Sequence, residues 1–141
     1  MKQDQYQALS SQLYFRVEDV AHLMTITPGS ARVLCARYAA KGVFTRLKNN
    51  FYMMSHNWQH LRMQDFYKIS NFLQVPSYIS FMSALSFYGV TTQVQREFVE
   101  SAAVKRSIHF DIKNRLFYYY KMKERYPSHT IFLHNRHLKK L

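Results

Sequence analysis

From Gln3 to Tyr14 the chain is polar except at Tyr6, Leu9 and Leu13, spacings of three and four that predict a first amphipathic helix. Phe15-Arg16 reads as a short extended link. Glu18 and Asp19 then place negative charge at the start of a second helix, where its dipole favours them. Val17, Val20, Ala21, Leu23 and Met24 supply that helix with an apolar face. Thr27-Pro28-Gly29-Ser30 is the sharpest local signal. Thr27 suits an N-cap and Pro28 a first helical position, where a missing N–H costs nothing. The third helix so begun runs to about Lys41 and stops at Gly42. Ala31, Leu34, Cys35 and Tyr38 are its inward side. Ser30, Arg32, Val33, Ala36, Arg37 and Lys41 are its outward side. Two β-prone runs, Val43 to Leu47 and Phe51 to Met54, then flank Lys48-Asn49-Asn50, the signature of a hairpin.

Beyond the hairpin the pattern predicts a helix from about Trp58 to Leu73, with Leu61, Phe66, Ile69, Phe72 and Leu73 as apolar positions. Pro76 interrupts it. Ser77 is placed to cap a further helix from Tyr78 to Tyr88, closed by Gly89. Its stripe is Tyr78, Phe81, Met82, Leu85 and Tyr88, with Ser77, Ser80, Ser83 and Ser86 alongside. After Gly89 the period changes from helical to alternating. Phe98 to Val104, Ile108 to Ile112 and Leu116 to Met122 read as strands, the last two joined by a tight turn at Lys113-Asn114. Ile131 to Leu133 is a candidate final strand.

These elements predict an α+β chain of two small parts: a winged helix-turn-helix over residues 1–55 and a helix-plus-antiparallel-sheet domain over residues 56–141. A length of 141 residues accommodates this, and 23 aromatic side chains among 48% hydrophobic residues are enough to fill cores.

Charge changes the picture more than size does. Twenty Lys and Arg stand against eight Asp and Glu, a net charge of +12, which attracts polyanions without specifying which. The excess is +4 over residues 1–54, +1 over 55–90 and +7 over 91–141, so a basic head accounts for only a third of it. The single cysteine, Cys35, cannot form an intrachain disulfide and lies on an apolar helical stripe, which fits a small buried side chain in a reducing compartment. With no leading signal and no apolar run of spanning length, the expectation is a cytoplasmic protein without a membrane partner.

Three helices followed by a hairpin is the order that lets a third helix enter the major groove while the hairpin touches the backbone or minor groove. On that reading Ser30, Arg32, Val33, Arg37 and Lys41 on the helix, with Arg46, Lys48, Asn49 and Asn50 on the hairpin, are the DNA-binding residues. Arginine makes two-pronged hydrogen bonds to guanine, small residues permit close approach, and a helix start favours a phosphate. A rival surface is the basic aromatic stretch of the last third. Lys105, Arg106, Arg115, Lys121, Lys123 and Arg125, interleaved with Tyr118, Tyr119 and Tyr120, suit stacking on single-stranded nucleic acid, RNA included, or docking of a protein.

The head, Phe15-Arg16-Val17-Glu18-Asp19-Val20-Ala21 through Ser30-Ala31-Arg32 to Lys41-Gly42 and Phe51-Tyr52, resembles the winged-helix head of AbiEi-like antitoxins. Pro76-Ser77-Tyr78-Ile79-Ser80-Phe81-Met82-Ser83-Ala84-Leu85 with Tyr88-Gly89-Val90 resembles the opening of that family's second domain. The resemblance implies a transcriptional regulator that represses its own operon by binding inverted repeats of double-stranded DNA, as a homodimer or as repeated monomers. It also implies the antitoxin role in a bacterial type IV toxin–antitoxin pair, with a cognate toxin as functional or direct partner. The family's Pro-Glu-Lys-Ala-like helical stretch has no counterpart here; Tyr126 is followed by Pro127-Ser128-His129, so the second domain reads as short or truncated.

Catalytic and metal signals are weak. Asp111-Ile112-Lys113 with Glu100 upstream has the acidic-x-Lys form of a metal-dependent nuclease, but Lys113 falls in the expected turn. His56 and His60 have the spacing of a helical metal pair without a third ligand. Three glycines make no phosphate-cradling loop. The chain is therefore expected to be no enzyme and to need no metal or cofactor.

Overall fold

A computed structural model describes residues 1–92, 97–123 and 133–134. The chain is mixed α+β and divides into two compact units, 1–61 and 62–141.

The first unit runs α1 (Gln3–Ser10), β1 (Phe15–Arg16), α2 (Val17–Met24), α3 (Pro28–Ala40), β2 (Phe44–Lys48) and β3 (Phe51–Met54), then a 3-10 turn over Ser55–His60. Helix α1 is shorter than its periodicity predicts. Ser11 Oγ donates to the Ala8 carbonyl at 2.9 Å, a side-chain bond that competes with the helical ladder. Helix α2 begins where Asp19 Oδ2 accepts the Arg16 N–H at 2.7 Å, and ends at Thr25 in a left-handed conformation (φ 54°). Thr27 caps α3 by accepting the Ser30 N–H at 3.2 Å, with Pro28 as the first helical residue. Strands β2 and β3 form the predicted hairpin, with a register shift near its tip. Strand β1 pairs with the far side of β3, giving the sheet order β1-β3-β2.

Phe44 sits at the centre of this unit. Its ring meets Phe15 edge-on at 5.0 Å and lies 5.1 Å from Tyr38 and 6.3 Å from Tyr52. Around it Leu9, Val17, Val20, Ala31, Cys35 and Met54 are buried. Burying a ring such as Phe15 or Phe44 is worth about 1.5–3 kcal/mol. The unit reaches residue 61 rather than the expected 55 because the 3-10 turn packs back on α1. Asn57 Nδ2 donates to the Ser10 carbonyl at 2.8 Å, and the His56 ring stacks on Tyr6.

The second unit contains α4 (Met63–Leu73), β4 (Ser77–Ile79), α5 (Phe81–Phe87), β5 (Phe98–Ala103), β6 (Ile108–Ile112), β7 (Arg115–Lys121) and β8 (Leu133–His134). Helix α4 starts five residues later than Trp58, where Asp65 Oδ2 accepts the Arg62 N–H at 3.0 Å. The helix expected from Tyr78 is also shorter. Ser77–Ile79 is a strand because it pairs with Ser101–Ala103 of β5, and the helix opens only at Phe81. The tight turn is as predicted: Lys113 and Asn114 both have positive φ, the backbone that joins two strands in two residues.

The sheet is not purely antiparallel, contrary to expectation. Its order is β6-β7-β5-β4-β8, and β5 pairs with β7 in parallel. The β6–β7 hairpin folds so that β7 fills the place beside β5 and β6 is left outside, an arrangement that strand alternation alone does not encode. Helix α4 covers one face through a buried polar contact. The Tyr119 hydroxyl donates to the Ser70 carbonyl at 2.6 Å, and Ser70 Oγ lies 3.0 Å from Ser101 Oγ. Burial pushes the Tyr119 hydroxyl far above its usual range.

Candidate nucleic-acid interface

Helix α3 is held by a narrow stripe. Only Ala31 and Cys35 are fully buried, and Leu34 and Tyr38 are half-buried beside them. The remaining side faces solvent: Ser30, Arg32, Val33, Ala36 and Arg37 are exposed along it, as is Lys41 at its end, and Val33 is 59% accessible. The helix carries two arginines and no acid. Ser30 is tied into the cap, where its Oγ accepts a hydrogen bond from the Thr27 hydroxyl at 3.0 Å. Burial pushes the Cys35 thiol up to about 11, so it stays protonated.

The hairpin side chains divide into two groups. Arg46 and Asn49 are exposed, and Arg46 Nη2 donates to Asn49 Oδ1 at 3.3 Å. Lys48 is half-buried with its ammonium 5.1 Å from the Phe51 ring centre, and burial lowers its pKa. Asn50 points elsewhere. Its amide donates to both oxygens of Glu18, at 3.1 and 2.8 Å, so its side chain serves the junction with α2 instead of the outer surface. Asn50 also has φ 69°, and its carbonyl accepts the Val17 N–H at 3.2 Å. The Glu18 carboxyl is held below its usual value by its backbone hydrogen bond, then by Asn50, with Arg16 and Arg32 adding smaller effects.

A feature the sequence reading missed lies beside the start of α3: a cleft of about 440 Å³ lined by Glu18, Ala21, His22, Thr25, Ile26, Thr27 and Pro28. No spacing in the sequence signals it; its lining runs from α2 through the left-handed turn at Thr25 to the start of α3.

In the second unit the parallel pairing gathers charge. Ala103 and Lys121 are partners at the carboxyl ends of β5 and β7, and the Lys121 N–H donates to Ser107 Oγ at 2.8 Å. Exposed Lys105, Arg106, Lys121 and Lys123 therefore share one end of the sheet. Arg115 is not among them. Its guanidinium lies 3.6 Å from the Phe66 ring centre and its Nη1 contacts Met63 Sδ at 3.7 Å, a packing role under α4. Arg125 lies outside the described residues. Tyr118 and Tyr120 stack at 6.3 Å on the opposite sheet face, whereas Tyr119 is buried.

His56 and His60 lie in a 3-10 turn, so they do not share a helical face, and His56 Nδ1 is 2.8 Å from the Tyr6 hydroxyl. Lys113 is in the turn, and β7 separates Glu100 from Asp111. Among the described residues no group of three or more His, Cys, Asp or Glu is placed to hold a metal, and no helix is long and apolar enough to cross a membrane. No protein-family profile, curated protein or solved structure matches the chain.

Proposed function

We propose that the chain is a non-catalytic regulator that binds double-stranded DNA through α3, with the β2–β3 hairpin on the flanking backbone. The observation that carries this reading is the one-sided burial of α3, which leaves Arg32, Val33, Arg37 and Lys41 in solvent on a helix free of acids. Support for this reading comes from the order α1-β1-α2-α3-β2-β3 with sheet order β1-β3-β2, three helices followed by a hairpin, which on the winged helix-turn-helix reading sets the third helix toward the major groove. Arg32 and Arg37 then reach base edges or phosphates, Val33 and Ala36 allow close approach, and Arg46 with Asn49 touches the neighbouring backbone. The resemblance to AbiEi-like antitoxins extends the proposal to autorepression of a toxin–antitoxin operon through inverted repeats, in the cytoplasm. Gel shifts on the upstream region test it. Selective binding that an Arg32→Ala/Arg37→Ala chain retains undiminished removes α3 from the mechanism. Rescue of growth from the product of the adjoining gene tests the antitoxin part.

A second reading is favoured by the cluster of Lys105, Arg106, Lys121 and Lys123 at one sheet end. It makes the second unit a binder of RNA or single strands, with Tyr118 and Tyr120 as stacking platforms. Replacing Lys105, Arg106 and Lys121 by Ala then abolishes RNA binding and spares duplex binding.

A further inference from the structure

The outer strand of the second sheet has an unusual combination of free hydrogen-bonding groups and self-complementary side chains. Strand β6 pairs with β7 on one side, and among the described residues nothing pairs with it on the other. Which amides face outward follows from β7. The Leu116 and Met122 N–H groups donate to β5, at Glu97 and Ala103, so the even residues of β7 face β5 and the odd ones face β6. Ile108, Phe110 and Ile112 are opposite Tyr119, Phe117 and Arg115, and they take up those odd positions. The backbone groups of His109 and Asp111 are therefore left on the free edge.

Natural sheets normally protect such an edge with proline, lysine or a bulge. Residues 108–112 contain neither proline nor lysine, and the β6–β7 register runs without a shift. Side chains alternate between two characters. Ile108 and Phe110 are half-buried and Ile112 is buried on the face that α4 covers, whereas His109 and Asp111 are exposed on the other. Phe110 meets Tyr119 edge-on at 5.8 Å and keeps part of its surface accessible.

We propose that β6 is a self-association edge, along which two copies of this chain pair antiparallel about a two-fold axis at Phe110. In that register His109 of each copy is opposite Asp111 of the other, and these are the residues whose free N–H and C=O groups then bond in pairs. Ile108 is opposite Ile112, Phe110 meets its own copy on the α4-covered face, and Ser107 is opposite Lys113. The neighbouring registers are poorer. An axis at Asp111 sets two carboxylates against each other, and one at His109 leaves Asp111 facing Ser107. Hydrogen-bonding complementarity between the His109 ring and the Asp111 carboxylate, together with apolar continuity, thus selects the same pairing, which joins two five-stranded sheets into one. This inference goes beyond the DNA-binding reading and does not rest on it.

Sedimentation of the full chain without nucleic acid tests it. The expected result is a dimer, weakened at least about tenfold by Asp111→Lys, which removes the carboxylate partner of His109 at both ends of the two-fold pair. Adding His109→Asp to Asp111→Lys sets an aspartate opposite each lysine and restores the dimer. A wild-type chain that stays monomeric at about 100 μM overturns the proposal and leaves the edge to a strand of another protein. An Asp111→Lys dimer as tight as wild type also overturns it, as does failure of the reversed pair to recover. If Asp111→Lys does not fold, Phe110→Cys gives an independent readout. Cys35 is buried in the first unit, so mild oxidation of that variant yields a dimer disulfide-linked through the substituted position if the axis is right and none if it is wrong. Because every arm omits DNA, loss of the dimer leaves duplex binding standing, and loss of duplex binding leaves the dimer standing.

Discussion

Asn50 and Glu18, 32 residues apart, are joined by two hydrogen bonds from one amide nitrogen, which fasten the hairpin tip to the first turn of α2. The contact fixes the hairpin against the helix that precedes α3. Asn50 also supplies the left-handed backbone that the turn needs, a conformation asparagine tolerates better than alanine.

Asn50→Ala is expected to lower the stability of the chain by about 1–2 kcal/mol, since it removes the hydrogen bonds and strains the backbone. Asn50→Gly keeps the backbone relaxed and should fall between alanine and wild type. Urea unfolding distinguishes them; equal midpoints for all three would show that the tip needs no fastening.

The same contact carries a pH dependence. The Glu18 carboxyl is held below its usual 4.5, so the unfolded chain binds its proton more readily than the folded one. Its contribution is therefore complete above that usual value and fades as pH falls through the lower folded value. The stability difference between wild type and Glu18→Gln should be greatest near neutrality and close at acid pH, as followed by thermal melts across pH.

Salt dependence separates base contacts from phosphate contacts at α3. Each phosphate contact removed should reduce the slope of log affinity against log salt by about one. Arg46→Ala and Lys41→Ala are expected to weaken all duplexes alike with that reduction. Arg32→Ala is expected to cost selectivity for the operator over other duplexes. Titrations at several salt concentrations check both, and an unchanged slope for Arg46→Ala removes the hairpin from the interface.

Arg115 should behave as a packing residue. Arg115→Ala is expected to destabilise the second unit by about 1–2 kcal/mol through loss of the contact with the Phe66 ring, and Arg115→Lys recovers little because the flat guanidinium makes that contact. Lys121→Ala, on an exposed site, should leave stability unchanged. Denaturation of both variants, with nucleic-acid binding measured alongside, shows whether Arg115 contributes more than structure.

The first unit was largely legible because its signals are local. Thr27-Pro28 marks a helix start, the Ala31–Cys35 spacing marks its inward stripe, and the two β-prone runs around Asn49-Asn50 mark a hairpin. The outward position of Arg32, Arg37 and Lys41 followed from helical periodicity. The commitment of Asn50 to Glu18 did not, because it joins two elements through a tertiary contact. In the second unit the same local signs misled. Tyr78, Phe81, Met82, Leu85 and Tyr88 have helical spacing, yet Ser77–Ile79 gains more by completing the edge of β5. The strand order was hidden for a related reason: alternation marks a strand but names no neighbour. Arg115 has the sequence setting of a surface cation, and only the tertiary packing of Phe66 from α4 on its guanidinium makes it part of the interior.

The insertion of β7 between β5 and β6 constrains how the chain can assemble. The four residues 104–107 carry the chain from β5 to β6 across the lane that β7 fills, about 9–10 Å between the two strands. That lane belongs to β7, brought back by the Lys113-Asn114 reversal, so β5 and β6 do not pair with each other and each depends on β7 for its ladder. A nascent chain halted before Arg115 accordingly presents β5 with one bare flank.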